Sequence, residues 1–260
     1  MSEPRFLSRL QEILSHVATT QSESLDAAAS LMANTIANGG LAHLYGSGHS
    51  VIPVMDAFPR YGSFVGLNPL TDPRLMWFSV LGAGGARELL WLERTEGYAR
   101  QYLSNQPIAE GDVLIVFSHG GLNAAPIEAA TYGREKGASI VGVTSLANLA
   151  RPAQHSTGKR LADVSDVVID TGVPIEDALV SLDGWGTPLA GASTIVACAC
   201  VGELVSRTAA ALLERGVTMP TFVSPTVPGA SVESNNVVFD AHRTRQVEAA
   251  NRGQTVGYSG

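Results

Sequence analysis

At 260 residues, with 45% hydrophobic and 16% charged side chains, the chain carries enough apolar material for one large core and too little charge for long disorder. A formal charge of −7, with the basic residues scattered singly, argues against a nucleic-acid partner. The sequence Met1-Ser2-Glu3-Pro4-Arg5 has no apolar signal core, and the two cysteines, Cys198 and Cys200, sit two apart in an alanine-rich run where helical spacing keeps them from pairing. These features predict a cytoplasmic protein with no membrane partner.

The first forty residues read as two helices. Phe6, Leu7, Leu10, Ile13, Leu14 and Val17 form one stripe at helical spacing. Leu25, Leu31, Met32 and Ile36 form another, stopped by Gly39-Gly40. Residues 1–40 are therefore predicted as an N-terminal helical arm, and 41–260 as the main domain with C-terminal helices, one structural unit. Leu41–Tyr45 reads as a strand, followed by the loop Gly46-Ser47-Gly48-His49-Ser50 and an apolar helix to about Phe58. Segments near Phe64–Leu67 and Leu75–Leu81 read as further strands, and Arg87–Leu103 as one helix.

Asp112–Phe117 (DVLIVF) has the pattern of a strand buried on both faces. It runs into Ser118-His119-Gly120-Gly121-Leu122-Asn123, then a helix over Ala124–Lys136 and the strand Ser139–Thr144. Val167–Asp170 is another strand, and long helices are expected over Ala192–Glu214 and after Asn236. The run Leu189–Val205 is apolar but short for a membrane span and reads as a buried helix. Strands alternating with helices predict a parallel sheet covered on both faces.

Two glycine-rich loops each follow a strand and open a helix, where an open parallel sheet binds ligands and free helix N–H groups meet an anion. The first loop has Val51 in place of a third glycine and no Gly-Lys-Ser/Thr ending, so it fits neither a dinucleotide fingerprint nor a P-loop. Either loop alone could be a plain turn. Two of the same design point to a small anionic ligand.

The strand, Gly-x-Gly-x-Ser loop and helix, followed by Asp112–Ser118 and Val141–Ser145 (VGVTS), resemble the SIS (sugar isomerase) domain family. Gly46–Ser50, Glu93–Tyr98, Pro126–Ala129 and His155–Lys159 are similar to a phosphosugar-binding branch of it, and the likeness spans roughly residues 4 to 245. The resemblance implies an α/β three-layer sandwich with about five parallel strands. It also implies a sugar phosphate ligand gripped by a Ser-x-Ser-Gly-x-Thr loop. Here Gly120 replaces the second serine and Asn123 the threonine.

Ser47, Gly48, Ser50, Ser118, His119, Gly120, Gly121 and Asn123 are the expected binding residues. His49, inside the first loop, could open a cyclic sugar or shuttle a proton, or simply cap the loop. Asp56 stands where the branch usually has glutamate, and could be an acid/base or only pair with Arg60 one turn on. Glu93 and Glu96, three apart, would share a helix face, as paired carboxylates or a solvated surface. Glu128 lies near the start of the second loop's helix. His155, in the polar segment Gln154–Arg160, is in such enzymes often supplied to a neighbouring subunit's site. No histidine or cysteine spacing suggests a metal, and no cofactor is expected.

The function these features predict is an aldose–ketose phosphosugar isomerase moving a proton between C2 and C1. A phosphosugar lyase or etherase, or a non-catalytic phosphosugar sensor, remains alternative. A homodimer or homotetramer is expected, joined through the N-terminal helices and the apolar helix near Leu189–Val205.

Overall fold

The computed structural model describes residues 5–76 and 79–253. Helices α1 (Phe6–Thr20) and α2 (Ser22–Ala37) precede strand β1 (Ala42–Gly46), helix α3 (Val51–Ala57) and strand β2 (Leu67–Leu70). Helices α4 (Ala86–Leu92) and α5 (Tyr98–Leu103) follow, then β3 (Val113–Phe117), α6 (Ala124–Glu135), β4 (Ser139–Thr144) and β5 (Val167–Asp170). A short antiparallel ribbon, β6 (Ala178–Val180) with β7 (Leu189–Gly191), leads into α7 (Ser193–Glu214), and α8 (Asn236–Gly253) ends the described chain.

The five strands are all parallel, in the order β2-β1-β3-β4-β5, with Leu44 opposite Ile115 and Ile115 opposite Val141. Alternate residues feed two cores, because successive side chains in a strand point to opposite faces. Leu44, Ile115, Phe117 and Val143 join α1, α2, α3 and α7 on one side. Tyr45, Leu114, Val116 and Ile140 join α4, α5 and α6 on the other. The α/β sandwich predicted from sequence is therefore present.

The chain leaves β1 for β2 on one side and reaches β3 on the other, so the topology reverses between β1 and β3. Helix α3 consequently covers one face and α6 the opposite one. Both loops emerge at this switch point, where a crevice opens between diverging helices. Both helices carry proline at their third residue, Pro53 and Pro126. An N–H there lacks an intrahelical partner in any case, so proline costs nothing.

Several predicted elements change. Arg87–Leu103 is not one helix: α4 ends at Leu92, and residues 93–97 form a turn that leaves Gly97 at φ +90° before α5. Strand β2 begins at Leu67, where the strand predicted over Phe64–Leu67 ends; Phe64 instead bridges Thr221. The strand predicted over Leu75–Leu81 is absent at its described ends, since Pro73–Leu75 is a 3-10 turn and Ser79 makes only an isolated bridge to Gly85; residues 77 and 78 lie outside the described residues. Leu189–Gly191 is strand rather than helix. Helix α7, at 22 residues, is long and apolar enough by composition to cross a membrane. It is buried on one side only: Val196, Cys200, Leu204 and Leu212 are buried, whereas Ile195 and Leu213 are exposed.

Candidate functional site

The first loop turns sharply. Ser47 is extended, Gly48–Ser50 is a 3-10 turn, and Val51 starts α3. Gly46 has no alternative there, because a Cβ would lie 2.1 Å from the Ser50 carbonyl oxygen. In the second loop Ser118 Oγ accepts the Gly121 N–H at 3.1 Å. Gly121 takes φ +60° against Thr144, which favours glycine. The His119 carbonyl accepts from Ser145 N, Thr144 Oγ1 and Asn148 Nδ2, and the Gly121 carbonyl from Leu161 N, so the loop is braced from behind.

Glu93 joins the two loops. Its Oε2 accepts from Ser47 Oγ at 3.0 Å and its Oε1 from Asn123 Nδ2 at 2.9 Å. Its backbone carbonyl also accepts the Ala125 N–H at 3.0 Å, which ties the end of α4 to the start of α6. The residue is only 8% exposed, and burial pushes its carboxyl above the ordinary glutamate range against the pull of Ser47 and Arg94. This corrects the solvated-face alternative and the expectation that Glu93 and Glu96 share a helix face. Both lie in or beside the turn after α4.

Glu96 faces a different segment. It accepts from Ser156 N at 2.7 Å and Ser156 Oγ at 2.6 Å, and those bonds lower its pKa. Glu128, buried on α6, accepts the Gly97 N–H and, at 3.4 Å, the Arg100 N–H, so it caps the start of α5. Between them sits His155, whose Nε2 is 3.9 Å from a carboxylate oxygen of each. Its Nδ1 meets Thr157 Oγ1 at 2.8 Å. His155 thus clasps the 151–160 segment onto Glu96 and the α6 residue Glu128 of its own subunit.

His49 is exposed on the 3-10 turn. His119 is held by Nε2 against the Ile175 carbonyl at 3.2 Å. Gly48 and Gly121 are buried, and Ser47, Ser50, Ser118, Gly120 and Asn123 are part-exposed around the crevice. Asp56 is not brought to the loops. It lies near the far end of α3, pairs with Arg60, and lines a separate cavity of ≈ 480 Å³ with Cys198 of α7. Among the described residues no group of three His, Cys, Asp or Glu converges as a metal-ligand set.

Sequence reasoning missed Thr171, Ser193 and Thr194, which line a small crevice with Ser50, Ser118 and His119. The one available signal was their place directly after β5 and at the start of α7.

A family model described as the SIS domain matches residues 5–145. The chain is 35% identical over 228 residues to the UPF0309 protein SCO4393 of Streptomyces coelicolor, covering 86% of this chain and 89% of that one. It is 33% identical over 241 residues to the UPF0309 protein BH0227 of Halalkalibacterium halodurans, covering 92% and 94%. Among solved structures, the phosphoheptose isomerase GmhA from Neisseria gonorrhoeae superposes with a TM-score of 0.51 at 16% identity, over 78% of this chain and 94% of that one. A phosphoheptose isomerase from Francisella tularensis gives 0.50 at 13%, over 78% and 93%. At such identities these two structures bear on the fold. With the five-stranded parallel sheet and its paired loops, the matches show that this chain belongs to the SIS-domain family.

Proposed function

We propose that the chain binds a phosphorylated sugar across the two loops and interconverts its aldose and ketose forms. The observation that carries this is Glu93, a buried carboxylate held by one side chain from each loop. Ser50, Ser118 and the second Nδ2 proton of Asn123, with the backbone N–H of Gly120, take the anionic end, since the Gly121 N–H and the Ser47 hydroxyl proton are engaged within the chain. Glu93 is the base that removes the C2 proton and returns it to C1, and its raised pKa suits that exchange. Each of its oxygens accepts one hydrogen bond within the chain and keeps a second lone pair. His49 and His155, beside the loops, are the further proton-transfer groups, whereas Asp56 is too far along α3 for such a role. The site works in a cytoplasmic homo-oligomer.

The engagement of both Glu93 oxygens within the chain also favours a second reading, a sensor that binds without turnover. Deuterium exchange separates the two. An isomerase in D₂O places deuterium at C1 or C2 of a phosphosugar from a panel of pentose and hexose phosphates. Glu93→Gln, which keeps the shape, is expected to slow exchange by about a hundred- to ten-thousand-fold while the chain still folds. Binding without exchange by the wild type for every sugar would leave the sensor standing.

A further inference from the structure

A narrow crevice of ≈ 10 Å³ runs between the loops and the start of α7, with polar walls of Ser50, Ser118, His119, Thr171, Ser193 and Thr194 and an apolar side of Phe117, Val143 and Ala197. That is room for about one oxygen atom. Two polar atoms of its walls have no hydrogen-bond partner: Thr171 Oγ1, on a residue 3% exposed, and the buried Nδ1 of His119. Buried polar atoms are rarely left so without a ligand or water to meet them.

Their chemistry defines what would fit. His119 Nε2 faces the Ile175 carbonyl, which can only accept. Nε2 therefore carries the proton, and Nδ1 of the neutral ring is a bare acceptor. The N-terminus of α7 already holds a carboxylate. Asp177 Oδ1 accepts from Ala192 N at 3.0 Å and Ser193 N at 2.7 Å, and its Oδ2 from Ser193 Oγ at 3.0 Å. Asp177 sits at φ +63°, a strained position for a residue other than glycine, held by these bonds. A second anion would meet both that carboxylate and the Nδ1 lone pair. The group that suits the crevice donates to His119 and exchanges a hydrogen bond with Thr171.

We propose that this crevice is a hydroxyl-reading subsite, in which Thr171 and His119 recognise one hydroxyl of the sugar whose anionic end lies on the adjoining loops. The proposal rests on the phosphosugar reading above. Ser50 and Ser118 belong to both places, so the sugar passes from one to the other without a gap.

The test is calorimetric titration of the wild type, Thr171→Val and Thr171→Ser with glucose 6-phosphate, fructose 6-phosphate and inorganic phosphate. Valine keeps the shape and removes the hydroxyl; serine keeps the hydroxyl. The expected result is about three- to ten-fold weaker binding of the better sugar phosphate by the valine variant. Inorganic phosphate should bind it unchanged, and serine should restore the sugar phosphate. Should the valine variant not fold, Thr171→Ala carries the same comparison. Unchanged sugar-phosphate affinity would reduce the crevice to a pocket for a trapped water, and equal weakening of inorganic phosphate would make it part of the anion cradle. Either result overturns the proposal. Wild type that binds none of the three probes would instead remove the phosphosugar reading, and the subsite with it.

Discussion

Glu93 shows how one residue can set the chemistry of two loops. Because its carboxyl is raised above the ordinary value of 4.5, the folded chain holds that proton more tightly than the unfolded one. Its contribution to stability is full below pH 4.5 and is lost as pH rises through the folded pKa. Relative to wild type, Glu93→Gln is therefore expected to gain melting temperature as pH moves from acid to neutral. Over the same range wild-type exchange activity should rise as the base form appears, a limb the glutamine variant should lack. A flat difference in melting temperature across that range would contradict the buried-carboxyl account. Gly120 offers the opposite experiment. A Cβ there meets nothing within 4 Å, so Gly120→Ser should fit and supply the hydroxyl missing from the loop. One hydrogen bond to a charged group contributes about 1.5–3 kcal/mol, so inorganic phosphate should bind at least about ten-fold tighter by calorimetry. Glu93 and Glu96 were visible in the sequence as a pair, but their different partners were not. Those depend on α4 stopping at Leu92, so that the two carboxylates leave a turn over residues 93–97 toward separate segments.

At the scale of elements, β1, β3, β4 and the two loops were legible because apolar runs near glycine have few alternatives. The boundaries that differ from expectation are those set by tertiary contacts. Helix α8 starts at Asn236, where the sequence places it, but no spacing announces the polar chain, buried at His43, Asn68 and Asp112, that ties it to the sheet. Gln246 donates to Asn68 Oδ1 at 3.1 Å, and Asn68 Nδ2 meets His43 Nδ1 at 2.9 Å. His43 Nε2 meets Asp112 Oδ2 at 3.1 Å, and Arg252 reaches Asp112 Oδ1 at 3.4 Å. Burial alone would raise the Asp112 pKa, but His43 and the N–H groups of Leu41 and Ala109 outweigh it and bring the value down. The resulting stability is present above the ordinary value of 3.8 and is lost as pH falls through the folded pKa. Asp112→Ala breaks a fully buried pair and is expected to cost about 3–5 kcal/mol in urea denaturation. A loss under about 1 kcal/mol would show that α8 does not depend on this chain.

For the whole molecule, the strand order was beyond the sequence, because apolar strands of similar length carry no label for their neighbours. The family resemblance implied about five parallel strands but no order for them, which the structure gives as β2-β1-β3-β4-β5. The surface adds a further expectation. Ile52 and Met55 of α3 and Ile195 of α7 are exposed on helices that pack against one another, and a monomer would leave this apolar side in water. Light scattering at micromolar concentration should find at least a dimer. Met55→Glu with Ile195→Glu should shift it toward the monomer without unfolding, and a wild-type monomer would refute the interface.

The strand order also governs which parts of the chain let go last. The loops spring from β1 and β3, each flanked by hydrogen-bonded neighbours, whereas β2 and β5 form the rims. Fluctuations that peel away a rim strand or α8 leave the floor beneath the loops intact. In deuterated buffer, the amide protons of Leu44 and Ile115 should outlast those of Val167 and Val168, with or without ligand. The groups proposed to grip the sugar would then stand on the slowest-breathing ground in the protein, ready before the ligand arrives.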